Sequence, residues 1–517
     1  MFADPPKPVL DVVSDAFTPV AQDQQHVGGL LAARLRANTE GFLERINQKE
    51  LFAEPATAGL FLIAGSNSYA YTGDVQLRSV MDRVARALAK TELSGGEQNV
   101  TDSSENAALL AGLLAYATET GDDEAFAAAR KLANSTLKKA TGLTAEASAV
   151  LIGPMLDLYR ETGDRRYLEF CDRAAHSKFE LPATGLEALR IAGGLLDYYT
   201  HSGDESFLKR AITVWNAQHV SITGAPADET ASTLCATVAW FRLTLDLFRI
   251  TGQAQYADNL ERTIYNQLLA AQEPATGHIY DSESPNGLKQ VLVKPVPCAL
   301  AEAVGLSQIP DAIWGRLGNS IALLTYPPAR ANIRLRRRNT VQIYMEGNYP
   351  ETGDVLVHVE PNRETRFSLR LRVPSWARKF AVEVGETRLM GKPGEFVTVS
   401  RQWKKGDTVK ISIELTTETH TDPTRPDVIA FQRGPQVLVL DRSLNPSLTD
   451  LGSISLAPKA AASVTPLAQD TRMPFSAMSE RAFQVAGQYA GKQEKLTLVP
   501  FADARSYALW LPMRANP

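Results

Sequence analysis

Two cysteines and a few loop carboxylates are the residues of this chain best suited to chemistry. Thiolates hold zinc and attack electrophiles, and Cys235 and Cys298 with Glu229, Asp228 or Glu302 would make a mixed sulfur and oxygen set that zinc accepts. Packed as uncharged thiols, the same cysteines would be small hydrophobes in a core. Asp228 and Glu229 stand side by side in one loop, and Asp281 and Glu283 follow Tyr280 in another. Carboxyls do acid–base and nucleophilic work when they face one bond from two sides. Sequence neighbours rarely do that, so Asp228 and Glu229 need a partner, for which Asp281 and Glu283 are candidates; otherwise these are solvated acidic loops. Tyr280 and Trp240 are candidates to stack on a bound ring, although Trp240, like Tyr265, lies on a helical pattern that also suits a core. Cys171, four residues after Tyr167 and three before Ala174, has the spacing of a core-facing stripe.

The elements that must position these residues are legible in the punctuation. A helical pattern ending at Thr-Gly-Asp or a relative, with a second helical pattern beginning at once, recurs at Gly73, Gly121, Gly163, Gly203 and Gly252, at intervals of 48, 42, 40 and 49 residues. Glycine takes the left-handed conformation that ends one helix, and aspartate offers an N-cap oxygen to the next. These are helix hairpins. Upstream helices such as Ala107 to Ala117 and Leu186 to Tyr199 read apolar all round, whereas downstream ones carry a single stripe, as at Phe207, Ala211, Val214 and Trp215. Buried helices alternating with amphipathic ones at this period fit an α-solenoid or an (α/α)6 toroid. Past Ile309 and Pro310 the segments become short, alternating and β-branched, which predicts β-sandwich structure with a seam near Thr419 to Asp427. The expected organisation is an N-terminal extension over 1–24 that packs on the β half, an (α/α)6 barrel over 25–315, and two jelly-roll-like β-sandwiches over 316–418 and 419–517.

A chain of 517 residues, 44% hydrophobic and 22% charged, buries a large core and reads as a soluble multidomain protein. Its formal charge of −4 supplies no global basic field for nucleic acid, and no stretch approaches a membrane span. Three dispersed cysteines make no disulfide framework and leave the redox compartment undecided. The N-terminus lacks a signal-peptide pattern, so the chain as written is expected to be cytoplasmic, or periplasmic or secreted if it has been trimmed. Oligomeric state is not readable.

The run Cys235 to Trp240, then Leu247 to Gly252, then Tyr256 to Asn266 resembles glycoside hydrolase family 127, the β-L-arabinofuranosidase family. The β half agrees, with Leu369 to Trp376, Arg401 to Asp407, Ala430 to Pro435 and Leu496 to Phe501 similar to that family's motifs in order. The resemblance implies a toroid followed by sandwiches, a glycan substrate, and a zinc-thiolate site: a Glu-Thr-Cys motif, a later Cys-Cys pair that includes the nucleophile, and a separate Glu as acid–base. Here the first motif reads Thr233-Leu234-Cys235 and the pair reads Pro297-Cys298, which places proline in the nucleophile's slot. With the register one residue out, Cys298 would be the nucleophile and Ala299 would replace a ligand. Glu229, in a shortened loop after Ile222-Thr223-Gly224-Ala225, is the best match for the acid–base. The histidines that face the sugar in this family read Ala108, Ser148 and Thr184. The expectation is a glycoside hydrolase-like protein that acts on glycan side chains without the family's cysteine nucleophile, or a non-catalytic descendant that binds a glycan or partner protein. With ligands of the family's set replaced, no cofactor is expected, and zinc is the one the remaining donors would take.

Overall fold

A computed structural model describes residues 10–517 except 53, 91–102, 225, 227–232, 282–285, 293, 295, 337–338, 423, 468–481 and 514–517. Helical hairpins fill the first part of the chain. Helix α1 (Gly29–Arg36) is followed by α2 (Pro55–Thr72), α3 (Val75–Lys90), α4 (Ser103–Thr120), α5 (Asp123–Lys139), α6 (Ile152–Thr162), α7 (Arg165–His176), α8 (Leu186–Ser202), α9 (Glu205–Ala217), α10 (Thr233–Thr251), α11 (Ala254–Thr263) and α12 (Pro297–Ser307). The even-numbered helices pack in sequence, α2 on α4, α4 on α6, α6 on α8, α8 on α10 and α10 on α12, and α12 closes on α2. The ring is therefore a closed toroid and not an open solenoid. The odd-numbered helices form its outer layer, each with one buried stripe, such as Phe207, Ala211 and Val214 on α9.

The repeated turn works as its chemistry requires. At Gly73 the backbone is left-handed (φ 67°), its N–H donates to Tyr69 O at 2.7 Å, and Asp74 Oδ1 accepts from the N–H of Gln76 at 2.7 Å. Asp122, Asp164 and Asp204 cap the next three outer helices in the same manner. The closest crossing, α2 on α4, is built on glycine: a Cβ on Gly59 would lie 2.3 Å from Ala108 O, and one on Gly112 would lie 2.2 Å from Gly59 O.

Beyond the ring, a five-stranded sheet packs with a seven-stranded one. The five-stranded sheet runs Phe17–Pro19, Trp314–Leu317, Ser320–Leu323, Thr365–Arg372 and Phe396–Trp403, so an N-terminal strand forms its edge. A second N-terminal strand, Gln25–Val27, edges the seven-stranded sheet beside Ala329–Arg336. Alternation is strict on Asp354–Pro361, where Val355, Val357 and Val359 are buried between less buried neighbours. The stretch read as a seam, Thr419 to Asp427, belongs to the first hairpin of the C-terminal sheet, Thr417–Asp422 paired with Arg425–Arg433. Residues of this ten-stranded sheet alternate between two cores: Ile429, Phe431, Leu438 and Leu440 face one, while Ala430, Val437 and Val439 face the other together with Ala270 of the helical part.

One buried arginine fastens ring to sheet. Arg372 pairs with Asp258 and, at 2.7 Å, with Glu261, both on α11, and donates to Leu324 O. Glu261 also accepts from Tyr349 (2.6 Å), Thr325 (2.8 Å) and the Trp376 indole (3.1 Å). Arg372 and Trp376 thus hold ring and sheet together.

Candidate active site

The axis of the toroid is a cavity of about 370 Å³ lined by every inner helix. Along α10 its wall runs from Cys235 to Asp246, eleven residues and so roughly 16 Å at the helical rise. The two ends differ. At the N-terminal ends of the inner helices the mouth carries Glu54, Ser104, Glu105, Arg190, Cys235 and Pro297. Carboxylates are favoured there because free amides and the positive end of each helix dipole point at them. The middle is apolar, with Leu60, Ile63, Ala108, Val238 and Val304. Asp197, Arg242 and Asp246 line the floor.

The floor is a charge network bound to the N-terminal segment. Arg160 bridges Asp157 at 2.8 Å and Asp11 at 3.1 Å, and Arg249 bridges Asp15 at 2.8 Å and Asp246 at 3.1 Å. Among the described residues Asp197 pairs with no cation at that distance, although Arg160 and Arg242 are near enough to act on its charge. Its carboxylate fits because Gly153 has no side chain: a Cβ there would lie 2.6 Å from Asp197 Oδ2. Enclosure in the ring, reinforced by the charges of Asp246 and Asp157, pushes its carboxyl up to about 7.

Cys235 and Cys298 meet across adjacent inner helices and form a disulfide, with their Cα atoms 4.9 Å apart. This alters the expected zinc pair. Disulfide sulfurs carry no thiolate charge to give a metal, and among the described residues no group of three or more His, Cys, Asp or Glu could hold one. In this oxidised state the residues present do not fit a zinc-thiolate centre. Glu302, considered as a third ligand, is buried in the ring wall, and among the described residues neither of its oxygens has a hydrogen-bond partner.

The other sequence candidates separate. Asp228, Glu229 and Glu283 lie outside the described residues. Asp281 is exposed, on the two-residue strand Tyr280–Asp281, and does not line the cavity. Tyr280 is buried beside Lys289, whose Nζ lies 5.8 Å from its ring, at the junction of the helical part with the C-terminal sheet. Trp240 is 1% exposed and stacks on Trp215 at 5.0 Å, so its ring is committed to the core. Of the histidine slots, Ala108 lines the cavity, Ser148 bonds the Thr144 carbonyl at 2.9 Å, and Thr184 is exposed before α8. Cys171 is buried, as its stripe predicts.

Sequence reasoning missed Glu54, Glu105, Arg190, Asp197, Arg242 and Asp246. The available signal was an ionisable residue interrupting an otherwise apolar helix.

Residues 3–286 match the family model described as β-L-arabinofuranosidase, GH127 catalytic domain, and residues 320–415 match the GH127 middle domain. No curated protein matches the sequence. Among solved structures, one titled glycoside hydrolase is 17% identical, with a TM-score of 0.82 over 98% of this chain and 100% of that one. A GH127 β-arabinofuranosidase is 18% identical, with a TM-score of 0.77 over 97% and 98%. A GH127 β-L-arabinofuranosidase from Geobacillus stearothermophilus T6 is 16% identical, with a TM-score of 0.74 over 94% of each chain. At these identities the likeness is one of fold.

Proposed function

Because this chain belongs to glycoside hydrolase family 127, we propose that it takes a glycan side chain into the mouth of its helical ring and hydrolyses a glycosidic bond there with carboxyl groups. The observation that carries this reading is the cavity. At about 370 Å³ it falls in the range of small-molecule sites, is apolar in its middle and ionisable at its mouth, and has Cys235 and Pro297 on its wall at the family's thiolate slots. Proline has no nucleophilic side chain, and Cys235 and Cys298 are spent on each other, so carboxyls are the remaining equipment. Glu229 is the proposed acid–base, with Asp228 beside it. Asp281 and Glu283 are the partners its sequence offers; among the described residues Glu54 and Glu105 are the carboxylates that line the mouth.

A second reading rests on the same disulfide: a descendant that binds glycan or a partner protein in the old cleft without turnover. Aryl β-L-arabinofuranoside and related pentosides separate the two. Hydrolysis that falls at least about a hundredfold in Glu229→Gln, with the fold intact, supports catalysis. Full activity in that variant overturns Glu229, and saturable glycan binding by calorimetry without turnover of any pentoside establishes the second reading.

A further inference from the structure

Hydrolysis at the mouth uses none of the cavity beneath it, and that lower part is hollow because of its residues. On α8 the cavity is lined by Arg190, Gly193, Gly194 and Asp197, and on α10 by Cys235, Val238, Ala239, Arg242, Leu243 and Asp246. Both runs follow the spacing of one helix face. A Cβ added at Gly193 would meet no described atom within 4 Å, so the space beside it is open. Ala108, Ala111 and Ala239 keep other walls short.

Arg242 stands at the far end. It lies seven residues along α10 from Cys235, roughly 10 Å at the helical rise. It is exposed although its helix belongs to the inner ring, and among the described residues it makes no hydrogen bond or ion pair. Nearby carboxylates are committed elsewhere, Asp246 to Arg249 and Asp157 to Arg160. A guanidinium with its donors unspent, on the wall of a hollow, is equipment for a ligand. The surroundings narrow its chemistry. Arg242 only donates, Asp197 and Asp246 supply oxygens, and the wall between mouth and floor is apolar. A sugar suits all three, with hydroxyls that give and accept and a C–H face for the apolar wall. An acidic sugar would meet the charges of Asp246 and Asp157, which already act on Asp197 there.

We propose that the floor is a second sugar subsite, so that the ring takes in two neutral sugar residues beyond the scissile bond and releases them together as a disaccharide. The inference rests on hydrolysis at the mouth, as proposed above. There the bond from anomeric carbon to bridging oxygen breaks, the hydroxyl of a water goes to the anomeric carbon, and its remaining proton goes to the departing oxygen. The inner sugar lies along the apolar wall of Leu60 and Val238, and hydroxyls of the terminal sugar accept from Arg242 and donate to Asp197. A pocket for one sugar would end at that apolar middle; this one continues to the floor.

The test compares aryl arabinofuranosides that carry one and two neutral pentoses, with the released sugar identified by mass. The two-sugar glycoside should show a kcat/KM at least about tenfold higher and yield a disaccharide, because the longer ligand alone reaches the charged donor on the floor. Arg242→Ala, and Gly193→Leu, which fills the hollow above the floor, should each cut that preference about tenfold, whereas a purely structural role would lower both substrates alike. Should Gly193→Leu fail to fold, Arg242→Ala carries the test alone. A monosaccharide released from the two-sugar glycoside, equal kcat/KM for the two, or a preference unchanged by the variants overturns the proposal, as does a higher rate when the terminal sugar is a uronate. If neither glycoside turns over, hydrolysis fails as a reading and calorimetry decides the subsite. Arabinobiose that binds more tightly than arabinose, with the difference lost in Arg242→Ala, supports it; equal or absent binding of the two overturns it.

Discussion

Arg372 and Glu302 are both buried ionisable groups, and they are treated in opposite ways. Around Arg372 the chain converges two carboxylates, a backbone carbonyl, two hydroxyls and an indole on one ion cluster between ring and sheet. Around Glu302 the described residues offer nothing. A charge that joins domains is surrounded with partners because an unpaired one would separate them. A carboxyl left alone in the ring wall contributes little to cohesion and costs free energy where it stands.

Substitution should reveal this contrast in sign as well as size. The largest effect is expected at Arg372→Met, which strands Asp258 and Glu261 and should cost about 3–5 kcal/mol, read as a lower urea midpoint. Glu302→Leu should move the other way, gaining about 1–3 kcal/mol in the same measurement, because it removes an unpartnered polar group. A loss there would mean that Glu302 is structural like Arg372.

Lys289 sharpens the contrast from between the two extremes. Its Nζ donates to Phe501 O at 2.8 Å and lies 4.7 Å from the Phe501 ring, and burial pushes it down to about 7. Its unfolded value is about 10.4, so between the two the unfolded chain binds more protons and stability rises with pH. The stability of Lys289→Met relative to wild type should therefore be most favourable near pH 6 and decline toward pH 10, read as a Tm difference that falls by a few degrees, on the order of 2–4 °C per kcal/mol. Asp197→Asn should have the smallest effect. With its folded value raised to about 7, Asp197 makes wild-type stability fall as pH rises from about 4 to 7, so the variant's Tm advantage should be greater at pH 8 than at pH 5.

The ring was readable because its signals are local. Gly73 and Asp74 terminate and start helices by chemistry contained in four residues, and the same turn recurs along the chain. The β strands were readable for the same reason, since Val355, Val357 and Val359 declare their buried face by spacing alone. The site was much less so. The pairing of Cys235 with Cys298 spans 63 residues and depends on which inner helices become neighbours, a property of ring closure. Trp240 illustrates the converse: an aromatic suited to stacking on sugar stacks on Trp215 instead, and only packing decides between them. Asp197 was passed over because, on a mostly apolar helix, it reads as an isolated polar residue until Gly153 is seen opposite it.

The two edge strands Phe17–Pro19 and Gln25–Val27 pair with Trp314–Leu317 and Ala329–Arg336, partners about three hundred residues downstream. A nascent chain leaves the ribosome N-terminus first, so these strands must wait, unpaired, while the whole ring is synthesised. Such long-range pairing is slow and late in folding. The N-terminal segment therefore stitches both sheets only once their downstream strands exist, and it adds to the Arg372 cluster a second tie to the β half, this one from the start of the chain.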